Sequence, residues 1–574
     1  MPEILLSTLN AKFIHAAFGL RYLLANLGDI QAHAALAEFD INQKPTDIAE
    51  AILARNPRIV GLGIYIWNVT PSTELVSILK RIRPDLIIIV GGPEVSYETG
   101  QQEIVRLVDH VITGEADLKF AEVCRQLLSP ALSDERAVLP KIISAELPDL
   151  AKLALPYGLY DDRDVAHRVV YVEASRGCPF TCEFCLSSLD VPVRATPLEP
   201  FLAAMQHLLE RGVRQFKFVD RTFNLNLVTS RAILEFFLAR WQPGLFVHFE
   251  MVPDRLPEPL REIIARFPPG ALQFEVGIQS FDPEVGRLIS RRQNFDRLEE
   301  NFHWLRAHSG VHVHADLIAG LPGENLASFA AGFDRLHGLK PQEIQVGILK
   351  RLRGTPIIRH DVAWAMKYSP YPPYEILENR LLDFATLARL RRFAKFWDIY
   401  GNSGNFKETL PCLWTAAPII EPVGTRLDQP GLTDGQNSIQ TLVPERSTSP
   451  FWSILAFSDW LHAQGVKTSG IALTRQYELL WEYLTSSRTL SPEVVAHCLE
   501  QDYRRPGRSE LPECLRRHRS VPAQLVAPTN RSLPKRQARH VATVAGVPSP
   551  GSEGTARASD IPQPPRSPAH HREA

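Results

Sequence analysis

Over its first 128 residues the chain alternates short aliphatic runs with amphipathic stretches. Ile4 to Thr8, Ala34 to Phe39, Ile59 to Ile64, Leu86 to Val90 and His110 to Ile112 are apolar runs of strand length. Between and after them, Ala16 to Leu27, Pro45 to Arg55, Ser72 to Ile82 and Leu118 to Leu128 repeat apolar residues at helical spacing. This alternation predicts an α/β domain, a parallel sheet with helices on both faces.

Five strands with four helices fit a flavodoxin-like (Rossmann-type) domain over residues 1–130, whose ligand would sit at the carboxyl ends of the strands. There the sequence places Asn10, Lys12 and His15 after the first strand and Tyr65, Trp67 and Asn68 after the third. Gly91, Gly92 and Pro93 follow the fourth strand, and Gly114 and Glu115 the fifth. Paired glycines at a strand end let backbone approach a ligand closely.

Residues 131–167, rich in Pro, Ala and Asp, read as a linker. Over 168–369 the strand–helix alternation resumes, with strands expected at Val169 to Glu173, Phe216 to Val219, Phe246 to Glu250, Leu272 to Gly277, Val313 to Ile318 and Glu343 to Ile348. Six such units predict a partial (β/α)6 barrel with its chemistry at the strand C-termini. Residues 370–503 turn mainly helical, at Tyr374 to Ile399, Pro450 to Gln464 and Arg475 to Leu484. The last stretch, 504–574, is rich in Arg, Pro and Ser and reads as a disordered tail.

At 574 residues the chain is too long for one ordinary core, in keeping with several domains. Its net charge of -1 provides no basic field for nucleic acid, so nucleic acid is not an expected partner. The longest aliphatic run, Leu86 to Val90, is far too short to span a bilayer, so no membrane partner is expected. The opening MPEILLSTLN reads as a first strand rather than a secretion signal. Seven cysteines, three of them clustered, do not make a secreted disulfide framework and point to a reducing cytoplasm.

That cluster is the chemically informative stretch. VVYVEASRGCPFTCEFCL, residues 169–186, runs a short strand into Arg176 and Gly177 and then Cys178, Cys182 and Cys185. Thiolates are soft ligands for zinc or iron–sulfur clusters. Structural zinc wants four ligands, usually in two close pairs, and no second pair lies near. An iron–sulfur cluster held by three thiolates would keep one iron open to a substrate or cofactor.

The triplet, its Phe184 just before the last cysteine and the preceding strand resemble the radical S-adenosylmethionine (SAM) enzymes. The resemblance implies a 4Fe–4S cluster on Cys178, Cys182 and Cys185 whose open iron chelates SAM, with reductive cleavage of SAM to a 5'-deoxyadenosyl radical. It also implies roles at the later strand ends. Asp220, with Arg221 and Asn224, would lie near the methionine amino group, and Glu250 would meet the ribose. Glu275, Gln279 and Ser280 mark the fourth strand, and Arg291 and Arg292 are carboxylate partners. HADLIAGLPGEN is similar to the family's fifth-strand adenine motif, with Ile318 and Gly320 lining the base and Pro322–Gly323 as a turn.

Placed before such a motif, the N-terminal domain resembles the cobalamin-binding domain of cobalamin-dependent radical enzymes. Asn10, Lys12, Tyr65, Trp67, Gly91, Gly92, Pro93, Gly114 and Glu115 would then line cobalamin. LNAKFIHAAFG lacks the Asp-x-His-x-x-Gly pattern, so His15 is not assigned to cobalt and the lower face is expected to lack histidine. The three-part order is similar to a bacterial group whose helical C-terminal domain has no assigned function. The implied activity is methyl transfer to an unactivated carbon or phosphorus, with an electron donor such as flavodoxin or ferredoxin. Ring formation, rearrangement or oxidation, with or without cobalamin, is the alternative, and a zinc-binding interaction protein is the rival of another class. A methylthiotransferase would need a second cluster, and the N-terminal domain offers only Cys124.

Overall fold

The computed structural model describes residues 1–129, 139–190, 192–414, 449–516 and 534–540. The first sheet contains β1 (Ile4–Asn10), β2 (Ala34–Asp40), β3 (Ile59–Gly63), β4 (Ile87–Gly91), β5 (His110–Thr113) and β6 (Ile142–Ser144), in the order β2-β1-β3-β4-β5-β6. Every pairing is parallel. All of β1 and β3 is buried, because α1 (Phe18–Ala25) and α5 (Lys119–Leu128) cover one face and α2 (Pro45–Leu53), α3 (Val69–Ile82) and α4 (Glu103–Leu107) the other. Sheet order reverses direction between β1 and β3, the switch point where such sheets open a ligand crevice.

Part of the expected linker is sheet. Ile142–Ser144 pairs with Val111–Thr113 as a sixth strand, too short and too exposed to show a periodic signal. The chain then packs Tyr157 and Tyr160 into the core and forms α6 (Asp162–His167), started by a capping box between Asp161 and Asp164. Asp164 and Glu38 hold Arg21 at 2.6 and 2.7 Å, and Arg168 reaches Glu38 at 3.0 Å, a buried ion cluster that fastens this segment to the first sheet.

The second sheet begins at β7 (Val170–Val172), and a loop bearing the three cysteines leaves it between the short antiparallel strands β8 (Ser175–Arg176) and β9 (Arg194–Ala195). There follow α7 (Leu198–Glu210), β10 (Gln215–Phe218), α8 (Leu227–Ala239), β11 (Phe246–Met251), α9 (Glu258–Ile264) and β12 (Leu272–Gln279). The run finishes with α10 (Pro283–Leu288), α11 (Phe295–His308), β13 (His312–Ala319), α12 (Leu326–Gly338) and β14 (Glu343–Ile348). Strand order β14-β13-β12-β11-β10-β7 is sequential and parallel, the open six-stranded barrel the sequence predicts.

Beyond the barrel, a ribbon of β15 (Lys367–Tyr368) and β16 (Ile376–Glu378) occupies the start of the stretch expected as helix from Tyr374. The helix α13 (Phe384–Tyr400) starts only where Asp383 accepts the Thr386 N–H at 2.8 Å. With α14 (Pro450–Ala463), α15 (Leu473–Glu482) and α16 (Pro492–Arg504) it shares one continuous core with the barrel, joined where Phe333 of α12 meets Phe393 and Trp397. The expected disordered tail is ordered in part. Leu511 and Leu515, the latter in α17 (Glu513–Arg516), are buried, and α18 (Lys535–His540) places Arg536 2.8 Å from Glu343. The remainder of that tail lies outside the described residues. Among the described residues no helix is long and apolar enough to cross a membrane.

Candidate cofactor site

Two cavities meet over the strand ends. The first, of about 480 Å³, lies between the C-terminal ends of the first sheet and the start of the barrel. Gly61, Gly63, Gly91 and Gly92 leave part of its floor without side chains, Leu20, Leu23 and Phe120 form its sides, and Tyr65 stands at its edge. The bare floor has structural causes. Gly92 has φ +113° and its missing Cβ would lie 2.5 Å from the Ile64 carbonyl oxygen, while a Cβ on Gly61 would meet Phe120 at 2.8 Å.

Of the residues expected here, Tyr65, Gly91, Gly92, Pro93, Gly114 and Glu115 line this cavity, and Asn10, Lys12 and Trp67 do not. Asn10 donates to Glu38 at 2.7 Å inside the ion cluster. Lys12 is exposed. Trp67 stacks on Tyr65 at 4.4 Å and donates to the Leu9 carbonyl, so it braces Tyr65 from behind. Asn68 is wholly buried, its amide tying β1 to β3. His15 hydrogen-bonds the Tyr171 hydroxyl at 2.5 Å, away from the cavity.

The second cavity, about 180 Å³, holds Cys178, Cys182 and Cys185 together with Phe184, Glu250, Glu275, Gln279, Arg291, Arg292 and Asp316. Cys178 and Cys182 are buried and Cys185 is half-buried, all three as free thiols. Burial pushes the Cys178 thiol up, and the nearby Cys185 and Cys182 push in the same direction. Arg291 donates to the Cys182 sulfur at 3.3 Å, and its other nitrogen donates to the Gly277 carbonyl. Among the described residues no three Cys, His, Asp or Glu side chains converge on one ion position. A cluster does not ask them to, since each thiolate takes a different iron.

Glu250 pairs with Arg221 at 2.8 Å, and Glu275 with His248 at 3.0 Å. Although burial opposes it, the bond from His248 holds the Glu275 carboxyl well below the usual carboxylate range. Gln279 sits at a bulge in β12 with φ +75°, a rare backbone for a side-chain-bearing residue, which turns it to the cavity.

Four expected contacts lie elsewhere. Asp220 is buried and accepts from the Ala174 N–H at 3.0 Å and the Ser175 hydroxyl at 2.7 Å, so it anchors the base of the cysteine loop instead of lining the cavity; burial pushes its carboxyl up to about 6. Asn224 clamps the Val252 backbone, 2.9 Å to its carbonyl and 2.8 Å from its N–H. Gly320 is a packing glycine, its absent Cβ standing 2.6 Å from Ile376, where it lines no described cavity. Ile318 faces a third, neighbouring chamber.

The sequence reading missed Asp316 and His314. Both lie within the quoted HADLIAG run, and a period of two puts His314, Asp316 and Ile318 on one face of β13, the face that lines the cavities. Burial, with Glu275 and Glu250 nearby, pushes the Asp316 carboxyl well above its ordinary range.

The first and second cavities share Ser187 and Arg221. Between the sheet and the barrel, the half-buried Arg176 is held by Glu115, Asp117 and Glu173, each at 2.8 Å, and Arg194 also pairs with Glu115. The Glu115 carboxylate is therefore spent on the junction although the residue lines the cavity.

Comparison with known proteins agrees with this arrangement. The sequence matches the B12 binding domain over residues 5–124, the radical SAM superfamily over 172–336 and a protein of unknown function (DUF4080) over 362–419. An uncharacterized methyltransferase, PH0819, of Pyrococcus horikoshii is 27% identical over 313 residues, 49% of this chain and 64% of that protein. The cobalamin-dependent radical SAM methyltransferase TokK of Streptomyces tokunonensis is 25% identical over 331 residues, 50% of this chain and 46% of that one. The chain thus spans less than two thirds of the length of these relatives. The fold resembles the cobalamin-dependent SAM radical enzyme OxsB, solved with aqua-cobalamin and SAM, with a TM-score of 0.55 over 88% of this chain and 84% of that one at 12% identity. A glycine floor of this kind suits a flat macrocycle, and three thiols in one loop beside an arginine suit an iron–sulfur cluster. The chain joins a B12-binding domain to a radical SAM domain, and its cofactors are cobalamin, SAM and a 4Fe–4S cluster.

Proposed function

We propose that the protein is a cobalamin-dependent radical SAM methyltransferase that methylates an unactivated carbon or phosphorus. The observation that carries this reading is the junction of the two cavities at Ser187 and Arg221, which sets the cysteine cavity beside the glycine-floored one. When bound, the cluster supplies an electron for SAM cleavage and cobalamin a transferable methyl group.

The chain's own residues position and enclose. Cys178, Cys182 and Cys185 would hold the cluster, and the cavity they share would admit SAM beside it. Arg291 orients the Cys182 sulfur, and Arg292 is a guanidinium for the SAM carboxylate. Glu250, held by Arg221, stands in reach of a ribose, and Ile318 offers an apolar wall to adenine. The glycines of β3 and β4 admit the corrin, and Tyr65, braced by Trp67, borders it. Among the described residues no histidine lines this cavity. Cys124, buried in α5, offers nothing for the second cluster of a methylthiotransferase. The reductant we infer is a flavodoxin or ferredoxin in the cytoplasm.

Turnover of the anaerobically reconstituted protein with its substrate tests the reading. One SAM methylates cobalamin and another makes the radical, so S-adenosylhomocysteine and 5'-deoxyadenosine should form together. Release of 5'-deoxyadenosine alone would replace methyl transfer with rearrangement or oxidation.

A further inference from the structure

A third chamber, about 860 Å³, adjoins the cysteine cavity and shares Phe184, Gln279 and Asp316 with it. Its walls are the inner face of β13, the strand β14 and one side of α13. Charge on these walls is not balanced internally. Arg391 pairs with Glu375 at 3.3 Å, and Arg536 with both Glu343 and Asp398 at 2.8 and 2.6 Å. Lys350, Arg392 and Lys395 are left over.

Among the described residues neither lysine makes an ion pair. Arg392 reaches only Asp459, at 4.0 Å, and that carboxylate is already taken by Arg389 at 2.6 Å. The Arg392 Nε is buried with no hydrogen-bond partner, as are the Gln279 Oε1 and the Asp316 Oδ1 at the passage to the cysteines. The Arg392 side chain therefore keeps hydrogen-bonding capacity that its protein neighbours do not use. Positions 392 and 395 are one turn apart on α13, so both side chains reach the same part of the chamber.

We propose that this chamber binds the acidic group of the substrate, a carboxylate or a phosphate, on Arg392, Lys395 and Lys350. The rest of the molecule then points toward Gln279 and Asp316, into the cysteine cavity. The proposal rests on the radical SAM reading for its link to turnover, but the anion site itself stands on the charges. A guanidinium fork with two ammonium groups suits either oxyanion, and the shape of the acid decides between them.

The test measures binding of inorganic phosphate and of succinate to the full-length, anaerobically reconstituted protein by equilibrium dialysis, without SAM and at constant ionic strength. At least one anion should bind saturably, and Arg392→Gln/Lys395→Gln should weaken it about tenfold or more, the loss of one or two charge-assisted hydrogen bonds. Phosphate alone assigns a phosphate ester, succinate alone a carboxylic acid, and both leave the shared oxyanion chemistry in place. Arg392→Lys, which keeps the charge but not the fork, should bind more tightly than the double variant and more weakly than the parent, a graded loss that misfolding would not give. Lys467→Gln, an exposed lysine outside the chamber, should change nothing. Saturable binding of neither anion, equal binding by the double variant, or an equal loss in Lys467→Gln would each overturn the proposal. SAM cleavage by the unaltered protein is assayed separately: its absence would overturn the enzymatic reading and leave the binding result intact.

Discussion

The His314 Nε2 stands 3.6 Å from the Asp316 Oδ1, beyond hydrogen-bond range, and both atoms are buried without a hydrogen-bond partner. Burial lowers the pKa of His314 and raises that of Asp316, so it favours the uncharged form of each. An acid with a raised native pKa binds more protons folded than unfolded. It therefore destabilises the fold increasingly as pH rises above its unfolded pKa. Asp316→Asn should then stabilise the protein, by about 1 kcal/mol at pH 8, and by less at pH 5. Urea melts at the two pH values check this, and a destabilised variant at pH 8 would contradict it.

Arg291 donates to the Cys182 sulfur, a ligand of the cluster in the function proposed above. Hydrogen bonds to sulfur raise cluster potentials, so Arg291→Met should shift the cluster midpoint to more negative values in an EPR-monitored redox titration. Iron retention should fall about tenfold, as for other supports of metal ligands. An unmoved midpoint would mean that Arg291 serves only the Gly277 carbonyl.

Two glycines of the same cavity should behave oppositely. A Cβ on Gly63 meets nothing closer than 3.4 Å, so Gly63→Val should fold, within about 1 kcal/mol of the parent, while its γ-methyls fill cavity space. Its bound cobalamin, read from the absorption spectrum, should drop about tenfold, a loss of some 1.4 kcal/mol in binding. Gly92→Ala has a left-handed φ and a carbonyl at 2.5 Å against it, and should lose stability by about 1–3 kcal/mol. Full cobalamin in Gly63→Val would move the corrin elsewhere.

What the sequence made legible follows the strength of its periodic signals. Long apolar runs such as Ile87–Gly91 and Leu272–Gln279 stand in the sheets where their pattern puts them, and the cysteine triplet marks its own loop. Ile142–Ser144 was hidden because three residues on a sheet edge carry no period. Strand-end acids were the least legible. Asp220 and Glu250 both end strands, yet one turns inward to backbone N–H groups and the other to Arg221, a choice set by tertiary contacts. Asp316 and His314 were within reach, since alternation along β13 already placed them beside Ile318.

The last prediction concerns Arg176, two residues before Cys178. It is enclosed by Glu173, Asp117 and Glu115, with Tyr22 under its guanidinium at 4.5 Å, so it joins the barrel to the first sheet through several bonds at once. Burial pushes the Glu173 carboxyl up while Arg176 pulls it down, and without the arginine only the hydrogen bond from Tyr22 would oppose the first effect. Arg176→Met should thus cost about 3–5 kcal/mol, because it strands buried carboxylates and does more than delete an ion pair. Arg176→Lys keeps the charge but not the fork and should recover only part of this. Both variants should also lose iron together with stability, since the displaced segment carries the cysteine loop. Urea melts read beside iron content decide it: a stability loss with iron fully retained would show that the junction and the cysteine loop are mechanically independent.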